Sequence, residues 1–242
     1  MNMGTHYRCE AFRRMLIDSS VAEELQDLLW NRPDEIYGHG QPLSDKTRAR
    51  LTVSLDFSNK RYVIKTFIER SWRHALKGCF LPSRARRAWD DTQCILEAGV
   101  LTPPAMAWRE RTLGGVNFFR SYFVYEYLAG QTLEAVIDGF IKQSSAEEAL
   151  RQARPFIDQV NEIYRKLEAA NVVLHDPSPS NFIVDHLGEL WVIDLDKLEY
   201  PRSRSAYKRR SQVTYKNFWR DLSELGLLTS TEATRWAAKA WN

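Results

Sequence analysis

Apolar positions recur along this chain with two periods, one near 3.6 and one of 2, and their succession sets out the expected elements. The first helical stretch opens at Ser20, where Ser-x-x-Glu23 reads as a capping box, and continues through Val21, Leu25, Leu28 and Leu29. Strands follow near Leu51 to Leu55 and Arg61 to Phe67, with Asp56 to Lys60 as the turn; alternation puts Val63, Lys65 and Phe67 on one face. A helix is predicted over Ser83 to Ala98, capped by Ser83, stopped by Gly99 and followed by Pro103 and Pro104. Strands around Ala105 to Arg109 and Phe119 to Tyr127 are joined through Gly114 and Gly115. Helices come next at Thr132 to Lys142 and Ser145 to Ala170, with Pro155 expected to break or restart the second. Beyond it Phe156, Ile157, Val160, Ile163, Tyr164 and Leu167 keep helical spacing and are expected in the core. Two short apolar runs, Phe182 to Val184 and Leu190 to Ile193, flank Asp185 to Glu189, whose Asp and Gly suit a hairpin turn.

Strands thus crowd the first half and helices the second, an α+β arrangement in two lobes. A single domain over 1–242 is expected, with an N-lobe and N-terminal extension to 127 and a C-lobe from 128. The chain shows no internal repeat or long linker. Its 44% hydrophobic and 12% aromatic content suits a globular core, and a net charge of +3 gives no reason to expect a nucleic-acid partner. Cys9, Cys79 and Cys94 are odd in number and lack C-x-x-C spacing, which argues against a disulfide framework or zinc site and fits a reducing cytoplasm. No apolar run approaches a membrane span, and Met1 to Arg14 has no signal-peptide core, so a cytoplasmic location is expected.

Chemistry concentrates in Leu174-His175-Asp176-Pro177-Ser178-Pro179-Ser180-Asn181, followed thirteen residues after Asn181 by Asp194. Moving a γ-phosphoryl group requires a carboxylate to orient and accept the proton of the attacking hydroxyl, and oxygen ligands for the Mg²⁺ that neutralises the triphosphate. Asp176 suits the first role. Asn181 supplies an amide oxygen and Asp194 a charged one, at the open ends of two paired strands. A lone Asp or Asn in a loop is more often a turn former, and D-x-x-x-x-N arises often by chance; the loop, strand, turn, strand and terminal Asp in this order and spacing arise rarely. Sites of this type take a Lys from an upstream strand to hold the α- and β-phosphates, and Lys65 has that place. Tyr122 to Gly130, an apolar strand ending in Glu126, Tyr127 and Gly130, has the look of the segment whose backbone receives adenine.

These residues, together with Pro82 to Trp89, Leu96 to Pro104 and Val192 to Lys197, resemble the bacterial lipopolysaccharide kinase family, which phosphorylates Kdo or heptose of the inner core and shares the protein-kinase-like fold. The resemblance spans most of the chain. It implies Asp176 as catalytic aspartate, Asn181 and Asp194 as metal ligands, Lys65 as the phosphate lysine, ATP and Mg²⁺ as cofactors, and a lipopolysaccharide core glycolipid as acceptor at the inner face of the cell membrane. Another small-molecule kinase of the same fold and a pseudokinase module are the alternatives.

Departures from the pattern are specific. His stands at 175, next to the Asp, with Leu174 before it, and reads equally as a strut or as a buried core histidine. Leu195 and Asp196 follow Asp194 where a Gly is usual, and Asp196 either assists the metal or caps a turn. The acidic partner of Lys65 is reduced to Asp90 or Asp91, and Gly38 and Gly40 read as a plain turn rather than a phosphate loop. Only 48 residues follow Asp194, with no A-P-E element, which argues against a peptide substrate. They carry Arg202, Arg204, Lys208, Arg209 and Arg210, which read equally as a solvated loop or as a surface for an anionic glycolipid or membrane. Arg70, Arg73, Lys77, Arg84, Arg86 and Arg87 form a second basic cluster.

Overall fold

The computed structural model describes residues 4–10, 12–47, 50–68, 81–113, 116–195, 198–229 and 231–233. Gly114 and Gly115, Arg70, Arg73, Lys77, Cys79 and Asp196 lie outside them. The chain divides into two compact units, one of residues 1–93 with 103–127, the other of residues 94–102 with 128–242.

The first unit is built on an antiparallel sheet of seven strands: β1 (Thr5–Glu10), β2 (Arg13–Asp18), β3 (Gln41–Thr47), β4 (Arg50–Phe57), β5 (Lys60–Ile68), β6 (Ala105–Leu113) and β7 (Val116–Glu126), in the order β1-β2-β6-β7-β5-β4-β3. The turn between β4 and β5 narrows to Ser58 and Asn59, both with positive φ (48° and 64°), the two-residue type whose twist matches that of the strands it joins. Because strand side chains alternate, β5 serves two cores. Tyr62 and Ile64 join Met15, Ile17, Tyr122 and Val124 under helix α1 (Glu23–Asn31), which contributes Leu25, Leu28 and Leu29. Phe67 joins Trp108 and Phe123 under Ala85, Ala88 and Trp89 of helix α3 (Arg84–Glu97). The short helix α2 (Ile36–His39) ends at Gly40, where a Cβ would lie 2.8 Å from Val53 Cβ; this glycine is a packing contact under β4.

One sequence expectation fails here and one hairpin was missed. The Ser20 capping box does not form: Ser20 N–H donates to Asp18 Oδ1 (2.8 Å), and α1 begins only at Glu23 with no side-chain cap. Asp18 reached that backbone first, as short acidic side chains do near their own chain. The β1–β2 hairpin was not foreseen, because β1 is exposed on both faces and therefore carries no alternation of burial. By contrast α3 is capped as expected, Ser83 Oγ accepting from Arg86 N–H (3.1 Å), and closes with Gly99 N–H to Leu96 O (2.9 Å) and Val100 N–H to Ile95 O (3.1 Å), a paired C-terminal closure.

In the second unit, helix α4 (Leu133–Gln143) is capped by Thr132 and helix α5 (Ala146–Ala170) by Ser145, each hydroxyl accepting from the third residue on. Pro155 does not interrupt α5, which runs its 25 residues unbroken. Internal Pro costs about 3 kcal/mol, but Pro155 and the Arg151 carbonyl it deprives are on the exposed side, where water serves. The buried stripe Ala149, Ala153, Ile157, Val160, Tyr164 and Leu167 continues across it, and its large members contribute about 1.5–3 kcal/mol each. Against this stripe packs the hairpin of β10 (Phe182–Val184) and β11 (Leu190–Val192), with β8 (Gln131–Thr132) on the outer edge of β10. Strand β9 (Val173–Leu174) pairs antiparallel with β12 (Leu198–Glu199). Helix α6 (Arg204–Glu224), capped by Ser203, seals the core with Tyr215, Phe218, Trp219 and Leu222.

Gly130 precedes β8, and a Cβ there would sit 2.4 Å from the Val184 carbonyl oxygen and 2.6 Å from Ile183 Cγ2. Backbone meets backbone at this point, so no side chain fits. Gly130→Ala is expected to lower stability by about 1–3 kcal/mol through forced displacement of β10, measurable as a shifted urea midpoint at unchanged slope; an unchanged midpoint would show that the contact yields freely.

Candidate functional site

The second unit assembles the loop that carries Asp176. Buried Val173 and Leu174 end in β9, after which His175 and Asp176 emerge to solvent. A single 3-10 turn, Pro179–Asn181, returns the chain, with Asn181 N–H on Ser178 O (2.8 Å) and the hydroxyls of Ser178 and Ser180 3.0 Å apart. Asn181 then donates from Nδ2 to the backbone carbonyl of Asp176 (3.0 Å). That bond fixes the amide's orientation, because only its nitrogen can face a carbonyl, and it turns Oδ1 away as an acceptor for a cation.

The hairpin places Asp194 beside it. Beyond the last paired residues, Phe182 and Val192, Ile193 N–H donates to Asn181 O (2.9 Å), so the strand end carrying Asn181 and the strand end leading to Asp194 leave the ladder together. On the outer edge Val192 N–H donates to Leu101 O (2.8 Å). Asp185 secures the far turn, accepting from Leu187 N–H (2.8 Å) and Glu189 N–H (2.9 Å) at Oδ1 and from Trp191 Nε1 (3.0 Å) at Oδ2. The Glu189 amide leads these donors in holding the Asp185 carboxyl below the usual carboxylate range.

Asp194 itself has φ +65°. A left-handed backbone at a residue other than glycine costs about 1–2 kcal/mol, and such outliers persist where the surroundings dictate them, often at functional positions. Buried Leu195 anchors the chain just after it, and the β12 pairing closes the segment a few residues on. Asn181 and Asp194 are two oxygen donors, few by the standard of an all-protein cage but suited to Mg²⁺, which keeps waters and phosphate oxygens as its other ligands. Among the described residues no group of three His, Cys, Asp or Glu gathers as a metal site.

In the first unit Lys65 stands in the middle of the sheet, between Thr52 of β4 and Phe123 of β7, and is 4% exposed. Its Nζ lies 5.4 Å from the centroid of the Tyr125 ring. Lysines are almost never this buried unless their charge is met, so the solvated strand lysine is not what the fold contains. Asp90 of α3 is exposed and Asp91 half-buried. Glu126 ends β7 opposite Tyr62, with its carboxylate 3.9 Å from Lys60 Nζ. Tyr127 N–H donates to Arg61 O (2.8 Å) and its ring lies 5.2 Å from the Arg61 guanidinium, leaving the carbonyl as what Tyr127 can offer a bound base.

Two further expectations are corrected. His175 is not a core histidine: its side chain is 52% exposed and its Nδ1 lies 3.3 Å from Glu199 Oε1. The basic run after Asp194 is not a loop, since residues from Arg204 onward open α6. Helical spacing of Tyr207, Ser211, Thr214, Tyr215, Phe218, Trp219 and Leu222, all buried, was the signal that would have found that helix. In the other basic cluster, Arg84 lies over Phe67 (4.6 Å) and Arg86 over Trp108 (5.7 Å), so these two guanidinium groups pack on aromatic faces.

Comparison with known proteins bears on the family and the fold. The sequence model of the lipopolysaccharide kinase (Kdo/WaaP) family matches residues 34–238. Among solved structures, WaaP in complex with acyl carrier protein is similar over 95% of this chain and 100% of its own, at 19% identity and a TM-score of 0.56. WbdD is similar over 77% of this chain but 37% of its own, at 17% identity and a TM-score of 0.50. At such identities the likeness is one of fold, the α+β two-lobed kinase-like fold expected from the sequence. No curated protein matches the chain in sequence.

The backbone of Asp194 separates strain from ligation. Asp194→Gly is expected to be more stable than Asp194→Ala by about 1 kcal/mol, because glycine accepts a positive φ without cost, whereas both should lose the Mg²⁺-dependent stabilisation by ATP. Thermal melts with and without MgATP check this; a full MgATP shift in either variant removes Asp194 from the metal.

Proposed function

Because this chain belongs to the lipopolysaccharide kinase (Kdo/WaaP) family, we propose that it transfers the γ-phosphoryl group of ATP, with Mg²⁺, to a hydroxyl of Kdo or heptose in the lipopolysaccharide inner core, at the cytoplasmic face of the membrane. The observation that carries the reading is the Asn181 amide, locked by its bond to the Asp176 carbonyl so that its oxygen is available to a cation next to the residue that receives the acceptor.

Asp176 orients the acceptor hydroxyl and takes its proton. Its carboxylate has no hydrogen-bond or ion-pair partner among the described residues and is exposed, as a group awaiting a substrate must be. Asn181 and Asp194 would hold Mg²⁺, which when bound would supply neutralisation of the phosphate charge. Lys65 holds the α- and β-phosphates. Glu126 and Tyr127 lie on the segment that receives adenine, through backbone groups, since their side chains face Lys60 and Arg61.

The acceptor side is basic. Arg204 pairs with Glu168 (3.6 Å) and Arg210 with Glu199, but Arg202, Lys208 and Arg209 are exposed with no carboxylate partner among the described residues. These three suit the phosphates and carboxylates of an inner-core glycolipid and the headgroups of an anionic membrane. Among the described residues no helix is long and apolar enough to cross a membrane.

Asp176→Asn should abolish phosphoryl transfer from ATP to purified core lipopolysaccharide while MgATP still raises the melting temperature, because the group meets the acceptor and not the nucleotide. Near-normal turnover would exclude Asp176 from the chemistry, and absence of transfer and of any MgATP shift in the wild type would favour a pseudokinase. Replacing Arg202, Lys208 and Arg209 together by Ser should raise KM for the glycolipid and weaken binding to anionic vesicles, leaving KM for ATP unchanged. The difference should shrink with salt, since screening acts over roughly 8 Å at physiological ionic strength; normal KM and vesicle binding would make this face a plain solvated one.

A further inference from the structure

His175 and Asp176 are the exposed residues of a loop whose Pro177 and Pro179 are buried, and the Asp176 side chain has nothing among the described residues to hold it. Its geometry must therefore be set through the backbone on either side. On the C-terminal side the setting is the Asn181 bond to the Asp176 carbonyl (3.0 Å). On the N-terminal side the adjacent residue is His175, whose ring Nδ1 faces the Glu199 carboxylate at 3.3 Å.

Glu199 is placed to do this by the β9–β12 pair. Its Cα partner across the ladder is Val173, two residues before His175, so Glu199 on β12 falls within reach of His175 just past the end of β9. The carboxylate divides its oxygens between two elements. Oε1 lies 3.3 Å from His175 Nδ1, and Oε2 takes the guanidinium of Arg210, in the second turn of α6. The Glu199 side chain is 30% exposed, against 52% for His175 and 54% for Arg210, so the acid is the sheltered centre of the three.

We infer that Glu199 is a positioning residue for the proposed phosphoryl transfer: bridging His175 and Arg210, it fixes the backbone just before Asp176 and ties the catalytic loop to helix α6. The inference rests on the reading of Asp176 as the residue that orients the acceptor. It also divides the basic run by role. Arg210 serves the loop's geometry, and Arg202, Lys208 and Arg209 remain for an anionic ligand.

The energetics distinguish this from a stability role. Ion pairs this exposed contribute little to folding, whereas misplacement of a reacting group by about 1 Å costs up to about 100-fold in rate. The mark of positioning is thus a large effect on turnover beside a small one on melting.

Steady-state transfer from MgATP to purified core lipopolysaccharide, measured for wild type, Glu199→Ala, Glu199→Gln and Arg210→Ala, tests the inference. Glu199→Ala should lower kcat by about 10- to 100-fold, with KM for ATP and the MgATP melting shift unchanged. Glu199→Gln keeps an oxygen facing His175 Nδ1 and should recover part of the loss. Arg210→Ala, which leaves the His175 contact in place, should be milder than Glu199→Ala. Wild-type kcat in Glu199→Ala, or a loss matched by a lowered melting temperature in all three variants, overturns it. Hydrogen exchange of the backbone amides of residues 174–182, in wild type and Glu199→Ala, gives a readout independent of activity. Faster exchange there upholds the bridge, and unchanged exchange overturns it. Should the wild type transfer phosphate to no core acceptor, the proposed function fails, and the exchange measurement still decides whether Glu199 holds the loop.

Discussion

The rung from Ile193 N–H to the Asn181 carbonyl is the bond on which the chemical half of this molecule depends. It extends the β10–β11 ladder one step past its last paired side chains, and so brings two oxygen donors thirteen residues apart out of the sheet at the same end. Everything around the hairpin serves to keep that rung in register. Phe182, Val184, Leu190 and Val192 are buried against α5, Asp185 closes the far turn with both carboxylate oxygens, and Gly130 lets neighbouring backbone approach where no side chain would fit. A slip by one residue would turn every one of these side chains to the opposite face, and the donor pair would part.

The hairpin was legible in the sequence because its signals are local and agree with one another: two apolar runs of strand composition, an Asp and a Gly at turn spacing, and polar residues at both open ends. The cap at Ser83 and the helix starts at Thr132 and Ser145 were legible for the same reason. Ser20 carried an equally good local signal and failed, since the decision lay with Asp18, whose side chain competed for the same backbone. Pro155 failed differently: a strong local rule was outweighed by a buried stripe running on both sides of it.

Electrostatic roles were less legible than element positions. That Lys65 would be 4% exposed could not be read from a strand pattern that places it correctly, because burial is decided by the β4 and β7 strands flanking it and by α3 over that face. The split of the basic run into paired and unpaired cations depends on Glu168 and Glu199, acids that lie outside the run and meet Arg204 and Arg210 respectively. Charge composition gives the number of cations in a segment. Only the fold says which of them are already engaged.

Strand β1 illustrates a cost of the seven-stranded sheet. It is terminal in the strand order, so one row of its backbone N–H and C=O groups faces outward, and its side chains are exposed on both faces. Such an edge is a template for any other extended chain, including one from a second molecule. Here the strand is only six residues long and sets Arg8 and Glu10 among its side chains, with Arg13 at the start of its partner. A stray strand docking on this edge would have to strip water from those charges, and that penalty keeps an open sheet from growing into an aggregate.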